Sequence, residues 1–168
     1  MALILTLEDV IRVLSMKECM AVVEQAFREM KALACKVVAV YKDNPARHNL
    51  PTTIGKVLLQ DPETGEVVCI MDGGYLTAVR TGAASGVATK YLANDVPGMT
   101  AGIFGAGVQA KTQLWAVSEA RTLARAFVYD KDPAVAGRFA TEMSEKLHLE
   151  VIPADEGRGT KDEGRRTR

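Results

Sequence analysis

The stretch from Met99 to Pro153 leaves this chain few ways to fold. Met99–Gly105 reads as a strand ending in glycine, Gly107–Ala120 as a helix and Ala124–Asp130 as a second strand. Pro133 suits the first turn of a helix running to about Leu147, and Glu150–Pro153 reads as a third strand. The order is β-α-β-α-β, half of a doubly wound parallel sheet, so the fold class is α/β and Rossmann-type.

The first strand–helix join is Gly105-Ala-Gly-Val-Gln-Ala110, a G-x-G-x-x-A pattern. Gly105 allows a tight turn out of the strand, Gly107 lets the backbone approach a diphosphate, and Ala110 lets the helix pack closely on the sheet. The helix N-terminus then turns free N–H groups and the positive end of its dipole toward the phosphates. Glycine-rich turns are common, so a second feature matters. Asp130 closes the next strand, where a carboxylate accepts hydrogen bonds from ribose hydroxyls. The plainer reading is a turn aspartate. With its strand–turn–helix context, the pattern predicts a dinucleotide site, with NAD as the expected cofactor. A carboxylate repels a 2′-phosphate; Lys131 beside it softens that preference and keeps NADP open.

The first half has a different character. Thr6-Leu-Glu-Asp9 predicts a capping box opening a helix to about Leu14, and Ser15-Met-Lys-Glu18 a second one to about Met30. Met20, Val23, Ala26, Phe27 and Met30 recur at helical spacing and predict one apolar face on that helix. Cys35–Tyr41 is valine-rich and predicts a strand; Asn44-Pro45 marks a turn in the polar stretch Lys42–Pro51. Thr53–Gln60 and Glu66–Met71 predict a hairpin around Asp61-Pro-Glu-Thr-Gly65, with a positive φ at the glycine. Tyr75–Ala93 predicts one long helix of small residues, in which Gly82 and Gly86 imply close packing as compensation for about 1 kcal/mol each of lost helix propensity.

Lysine plus arginine equals aspartate plus glutamate, 21 against 21, so there is no overall positive field to attract nucleic acid or an anionic membrane. No apolar run reaches membrane-spanning length, and Glu8 and Asp9 mark the N-terminus as folded protein and no signal peptide. Cys19, Cys35 and Cys69 lie in apolar surroundings and are expected to be buried free thiols in a reducing, cytoplasmic compartment. His48 and His148 form no ligand cluster, so no metal is expected. Asp155–Arg168 lacks large apolar residues and is expected to be a disordered tail.

Three further residues carry potential chemistry. Lys36 lies between Cys35 and Val37; it is either an exposed edge-strand lysine or a partly buried group that pairs with a carboxylate or exchanges a proton. Arg80, followed by Thr81, is either a solvated residue or an anion ligand with room around it. Thr52, after Leu50-Pro51, says nothing by itself.

The run from Met71-Asp-Gly-Gly-Tyr through Arg80-Thr81 to Ala93, followed by Ala101-Gly-Ile-Phe-Gly-Ala-Gly-Val-Gln-Ala110, resembles the ornithine cyclodeaminase and mu-crystallin family. That family includes archaeal-type alanine dehydrogenases and ketimine reductases. Lys36-Val-Val, Asn44-Pro45, Leu50-Pro51-Thr52 and Glu63-Thr-Gly65 match in order, so the resemblance spans about Leu5 to Ala154. It implies that Lys36 is the substrate-carboxylate lysine and proton donor or acceptor. It implies that Thr52, Arg80 and Thr81 contact cofactor phosphate, that Gly105, Gly107, Val108 and Gln109 form the nucleotide turn, and that Asp130 binds the ribose. The implied reaction is hydride transfer at the Cα of an amino or imino acid. In a cyclodeaminase the hydride returns to the product after ammonia is lost, taking ornithine to proline. A non-catalytic, mu-crystallin-like binding protein is the alternative.

Residues 1–93 then correspond to part of a substrate and dimerisation domain, 94–154 to the first half of the NAD-binding domain and 155–168 to the tail. The family implies a homodimer. Two departures stand out. Near Met30 and Lys31 the family carries an added strand-rich stretch, and after Ala154 it continues into a second half-sheet with a catalytic aspartate. The expectation is a truncated or frame-shifted product. Gly82 stands where the family usually has alanine, which reads as a minor change.

Overall fold

The computed structural model describes residues 3–28 and 33–154. The chain divides between Arg80 and Thr81 into two compact units. That division falls inside a helix, earlier than the boundary after Ala93 that the sequence pattern gave.

In the first unit, β1 (Leu3–Leu5), α1 (Leu7–Val13) and α2 (Met16–Arg28) precede β2 (Leu33–Val40), α3 (Asn44–His48), β3 (Thr53–Gln60) and β4 (Val67–Asp72). The sheet order is β1-β4-β3-β2. β2 pairs antiparallel with β3, from Leu33 opposite Gln60 to Val40 opposite Thr53, and β3 pairs antiparallel with β4. β1 adds a parallel edge that the sequence reading missed, pairing Leu3 with Cys69 and Leu5 with Met71. Three residues carry too little periodicity to reveal a strand. The expected turn at Asn44-Pro45 is instead the start of α3, where proline fits the first helical turn, and Asn49 ends it at φ +51°. The hairpin is as expected: Asp61 accepts the amides of Glu63 and Thr64 at 2.8 and 2.9 Å, and Gly65 sits at φ +74°.

Both capping boxes form. Thr6 Oγ1 accepts the Asp9 amide at 3.3 Å while Asp9 Oδ2 accepts the Thr6 amide at 3.0 Å. Ser15 and Glu18 exchange the same pair of bonds at 3.2 and 3.3 Å. The buried face of α2 differs from the expected one. It rests on Met16 and Cys19, with Met20 and Val23 half-buried, while Ala26 is exposed. The Phe27 side chain and Met30 lie outside the described residues. Cys35 is also a correction. It is free but exposed, whereas Cys19 and Cys69 are free and buried. All eight residues of edge strand β2 are exposed, among them Leu33, Val37, Val38 and Val40, so nothing among the described residues of this unit covers that thiol.

The second unit contains the rest of α4 (Gly74–Leu92), then β5 (Met99–Phe104), α5 (Val108–Ala120), β6 (Leu123–Tyr129), α6 (Pro133–Leu147) and β7 (Glu150–Pro153). β5, β6 and β7 are parallel and in that order, as the sequence predicts. Ala126, Val128 and Val151 face Leu114 of α5 and Phe139, Ala140 and Met143 of α6 in one buried cluster. Full burial of a side chain such as Phe139 contributes about 1.5–3 kcal/mol. Asp132 caps α6 by accepting the Ala134 amide at 2.9 Å, and His148 ends it at φ +50°.

Gly82 of α4 lies against the main chain of Thr112, whose side chain is buried. At the far end, Arg121 donates from Nη2 to the carbonyls of Lys90 and Ala93 at 2.6 and 3.3 Å, and from Nη1 to that of Ala120 at 2.9 Å. Among the described residues its Nε is buried with no hydrogen-bond partner, and a carboxylate oxygen of Asp95 lies 4.0 Å away. Residues 155–168 lie outside the described residues, and so does the tail expected there.

Candidate functional site

β5 ends at Phe104 and the chain turns sharply at Gly105, whose φ of +86° lies in the region that disfavours a side chain. The Gly105 amide donates to the Tyr129 carbonyl at 2.7 Å. The next amide, of Ala106, donates to Asp130 Oδ2 at 2.8 Å. Gly107 then serves as N-cap of α5, and no side chain caps that helix. Gly107, Val108 and Gln109 are exposed there. Gly105, Gly107, Gln109, Ala110 and Gln113 line a hollow of about 310 Å³ together with the end of β5. A shallower hollow of about 590 Å³ runs along α6 past Arg138 and Glu142 and contains none of the expected site residues.

The structure thus brings Gly105, Gly107, Val108, Gln109 and Asp130 to one end of the parallel sheet. A β-carbon on Gly107 would meet no protein atom within 4 Å, so the space beside that glycine is open. Asp130 is held below its ordinary pKa of 3.8 by hydrogen bonds from the amides of Asp132 and Ala106, with Lys131 adding to the effect. It is therefore an anion at neutral pH, with lone pairs beyond those already used. These residues fit the diphosphate and ribose of a dinucleotide: open amides at a helix N-terminus and a fixed carboxylate one strand away.

In the first unit Lys36 is exposed on β2, as the plain reading had it. It shares a sheet face with its pairing partner Val57, which is buried. Its Nζ donates to Thr77 Oγ1 of α4 at 3.5 Å. Thr52 is half-buried just before β3, and its carbonyl accepts the Tyr41 amide at 2.8 Å. Arg80 is exposed on α4, one turn beyond Thr77, and half-buried Thr81 follows it.

Sequence reasoning missed three supporting groups. Thr77 faces Lys36, and only the strand–helix pairing reveals that. Asp72 Oδ1 accepts the Gly74 amide at 2.9 Å at the start of α4, and its Oδ2 is 3.1 Å from Lys56 Nζ. Burial raises the Asp72 pKa, but the bonds from Lys56 and Gly74 outweigh it and hold the group below its ordinary value. Lys56 faces Asp72 directly in the β3–β4 register. Among the described residues no group of acidic, histidine or cysteine side chains could hold a metal ion, and no helix is long and apolar enough to cross a membrane.

A glycine turn into an uncapped helix, with an acid closing the neighbouring parallel strand, defines the first half of a Rossmann-type doubly wound fold. Family comparison matches residues 28–159 to the ornithine cyclodeaminase/mu-crystallin family, and the chain belongs to it. It is 32% identical to an alanine dehydrogenase of Archaeoglobus fulgidus, over 92% of this chain and 56% of that one. That alignment runs over 183 positions against the 168 residues here, so the relative carries internal residues that this chain lacks. Among solved structures, the Δ1-pyrroline-2-carboxylate reductase of Thermococcus litoralis, in complex with NADH and L-proline, superposes with a TM-score of 0.85 at 41% identity, covering 94% of this chain and 58% of that one. An archaeal alanine dehydrogenase dimer with bound NAD superposes with a TM-score of 0.82 at 31% identity, covering 92% and 56%. The chain therefore spans a little over half the length of these relatives.

Proposed function

We propose that this chain supplies the adenosine and diphosphate half of a nicotinamide-dinucleotide site, together with a substrate lysine, for hydride transfer at the Cα of a small amino or imino acid. The observation that carries this reading is the open, uncapped start of α5 beside Gly107, with the Asp130 carboxylate bonded into the same turn. NAD is the cofactor that fits; a fixed anion at Asp130 disfavours a 2′-phosphate, with NADP as the weaker ligand. When bound, the nicotinamide supplies the hydride acceptor or donor.

The protein's own residues have separate tasks in this reading. The amides at the start of α5 hold the diphosphate, Asp130 accepts from the ribose hydroxyls, and Thr52, Arg80 and Thr81 add phosphate contacts. Lys36 anchors the substrate carboxylate and exchanges a proton at the reacting centre. Residues up to Ala93 act as part of the substrate and dimerisation domain, and 94–154 as the first half of the cofactor domain. The partner is a second copy of the chain, meeting exposed apolar residues of the first unit. The free thiols fit a reducing, cytoplasmic setting.

The test is a fluorescence titration with NADH followed by turnover assays with alanine, ornithine and a cyclic imino acid. Saturable NADH binding and turnover that Lys36→Met abolishes are expected. Binding without turnover would leave the mu-crystallin-like binding role, and no binding at all would overturn the proposal.

A further inference from the structure

The two halves of the Gly105–Ala110 turn do different work. The amides of Gly105 and Ala106 are both committed to the end of β6, the first to the Tyr129 carbonyl at 2.7 Å and the second to Asp130 Oδ2 at 2.8 Å. Asp130 Oδ1 is in turn fixed by the Asp132 amide at 3.0 Å, so both carboxylate oxygens have a backbone partner. Asp132 cannot take over, because its own carboxylate caps α6 through the Ala134 amide at 2.9 Å. The amides that remain for an anion are those at the uncapped start of α5, from Gly107 to Ala110, ahead of the first helical bond from Lys111 to Gly107.

We propose that Asp130 is a positioning residue for the diphosphate turn as well as an acceptor for the sugar. It latches Ala106 to β6 and so holds the amides that follow in the convergent arrangement an anion needs. A carboxylate has about four lone-pair sites, and backbone amides use only part of them, which leaves acceptor capacity for ribose hydroxyls. The latch spans 24 residues of chain and joins the carboxyl ends of two parallel strands, which sequence-local capping cannot do. Gly105 at φ +86° swings the chain into reach of it. This role rests on the dinucleotide reading for its purpose, but the latch itself is a property of the free protein.

The experiment separates the two. A ligand without ribose hydroxyls, 2′,3′-dideoxyadenosine 5′-diphosphate, makes no sugar contact with Asp130 yet still needs the turn. A charge-assisted hydrogen bond is worth about 1.5–3 kcal/mol, so Asp130→Ala is expected to weaken this probe by about tenfold or more. Asp130→Asn, which keeps one acceptor oxygen of the same shape, is expected to fall between the two. In the free wild-type protein, the Ala106 amide proton is expected far downfield and slow to exchange by NMR, and Asp130→Ala to remove both properties. Unchanged affinity of Asp130→Ala for the dideoxy probe, or an ordinary, fast-exchanging Ala106 amide in the wild type, would overturn the latch. If the wild type ignores both the probe and NADH, the dinucleotide reading fails, and the Ala106 amide still decides whether the latch exists.

Discussion

Gly82 in α4 packs so closely on Thr112 in α5 that a β-carbon at Gly82 would sit 2.6 Å from the Thr112 carbonyl carbon. Alanine at an ordinary helix position gains about 1 kcal/mol over glycine, but forcing a methyl group into packed backbone costs about 1–3 kcal/mol. Backbone cannot step aside as a flexible side chain does, so the steric cost wins. Gly82→Ala is expected to lower the melting temperature. Gly137, inside α6, has no atom within 4 Å of its would-be β-carbon, and Gly137→Ala is expected to raise stability by about 0.5–1 kcal/mol. Thermal melts of the pair check both signs.

The two glycines of the nucleotide turn should separate stability from binding. Gly105 needs a positive φ, so Gly105→Ala is expected to cost about 1–2 kcal/mol of folding stability. Gly107 has an ordinary φ of −83° and open space around it. Gly107→Ala is expected to leave the folding stability within about 0.5 kcal/mol of wild type while weakening NADH by about tenfold or more. Calorimetry beside a fluorescence titration reads both quantities.

Thiol chemistry should distinguish the cysteines. Cys35 is exposed, and Cys19 and Cys69 are buried, with the Cys19 thiol pushed up in pKa by desolvation. Ellman's reagent is expected to modify Cys35 quickly in the folded single chain, at concentrations too low for association, and the other two only on unfolding. Fast labelling of Cys19 would show that the α2 face is not packed as described.

Acid should release the start of α4. Asp72 has a depressed pKa in the folded state, so its contribution is fully present above the unfolded value and is lost as pH falls through the folded one. The cap to Gly74 is worth about 1 kcal/mol, less whatever solvent screening removes from the Lys56 pair. Asp72→Ala is expected to lose that amount at neutral pH and to melt like wild type at strongly acid pH. Denaturant melts at both pH values check it.

The legible parts of this molecule were those with strong local chemistry. The parallel half-sheet, the capping boxes at Thr6 and Ser15 and the hairpin at Asp61 follow from short-range patterns, and each forms. The Gly105–Ala110 turn and Asp130 come together where their spacing placed them. What stayed hidden depends on partners distant in sequence. β1 exists only through its parallel pairing with β4, and Thr77 meets Lys36 only once α4 has packed beside β2. Cys35 and Ala26 looked like interior residues by their neighbours, but burial is decided by what lies opposite. The exchange of alanine for glycine at position 82 looked harmless until the Thr112 main chain was seen against it.

Arg121 gathers the carbonyls of Lys90, Ala93 and Ala120 on one planar guanidinium. The five residues between Ala93 and Met99 are therefore tethered at their origin, where the end of α4 lies beside the end of α5. A lysine would bring the charge but not the fork of donors, so this junction tolerates no exchange of one base for the other. A single side chain well away from the nucleotide turn thus clasps the two helix ends from which β5 and β6 set out.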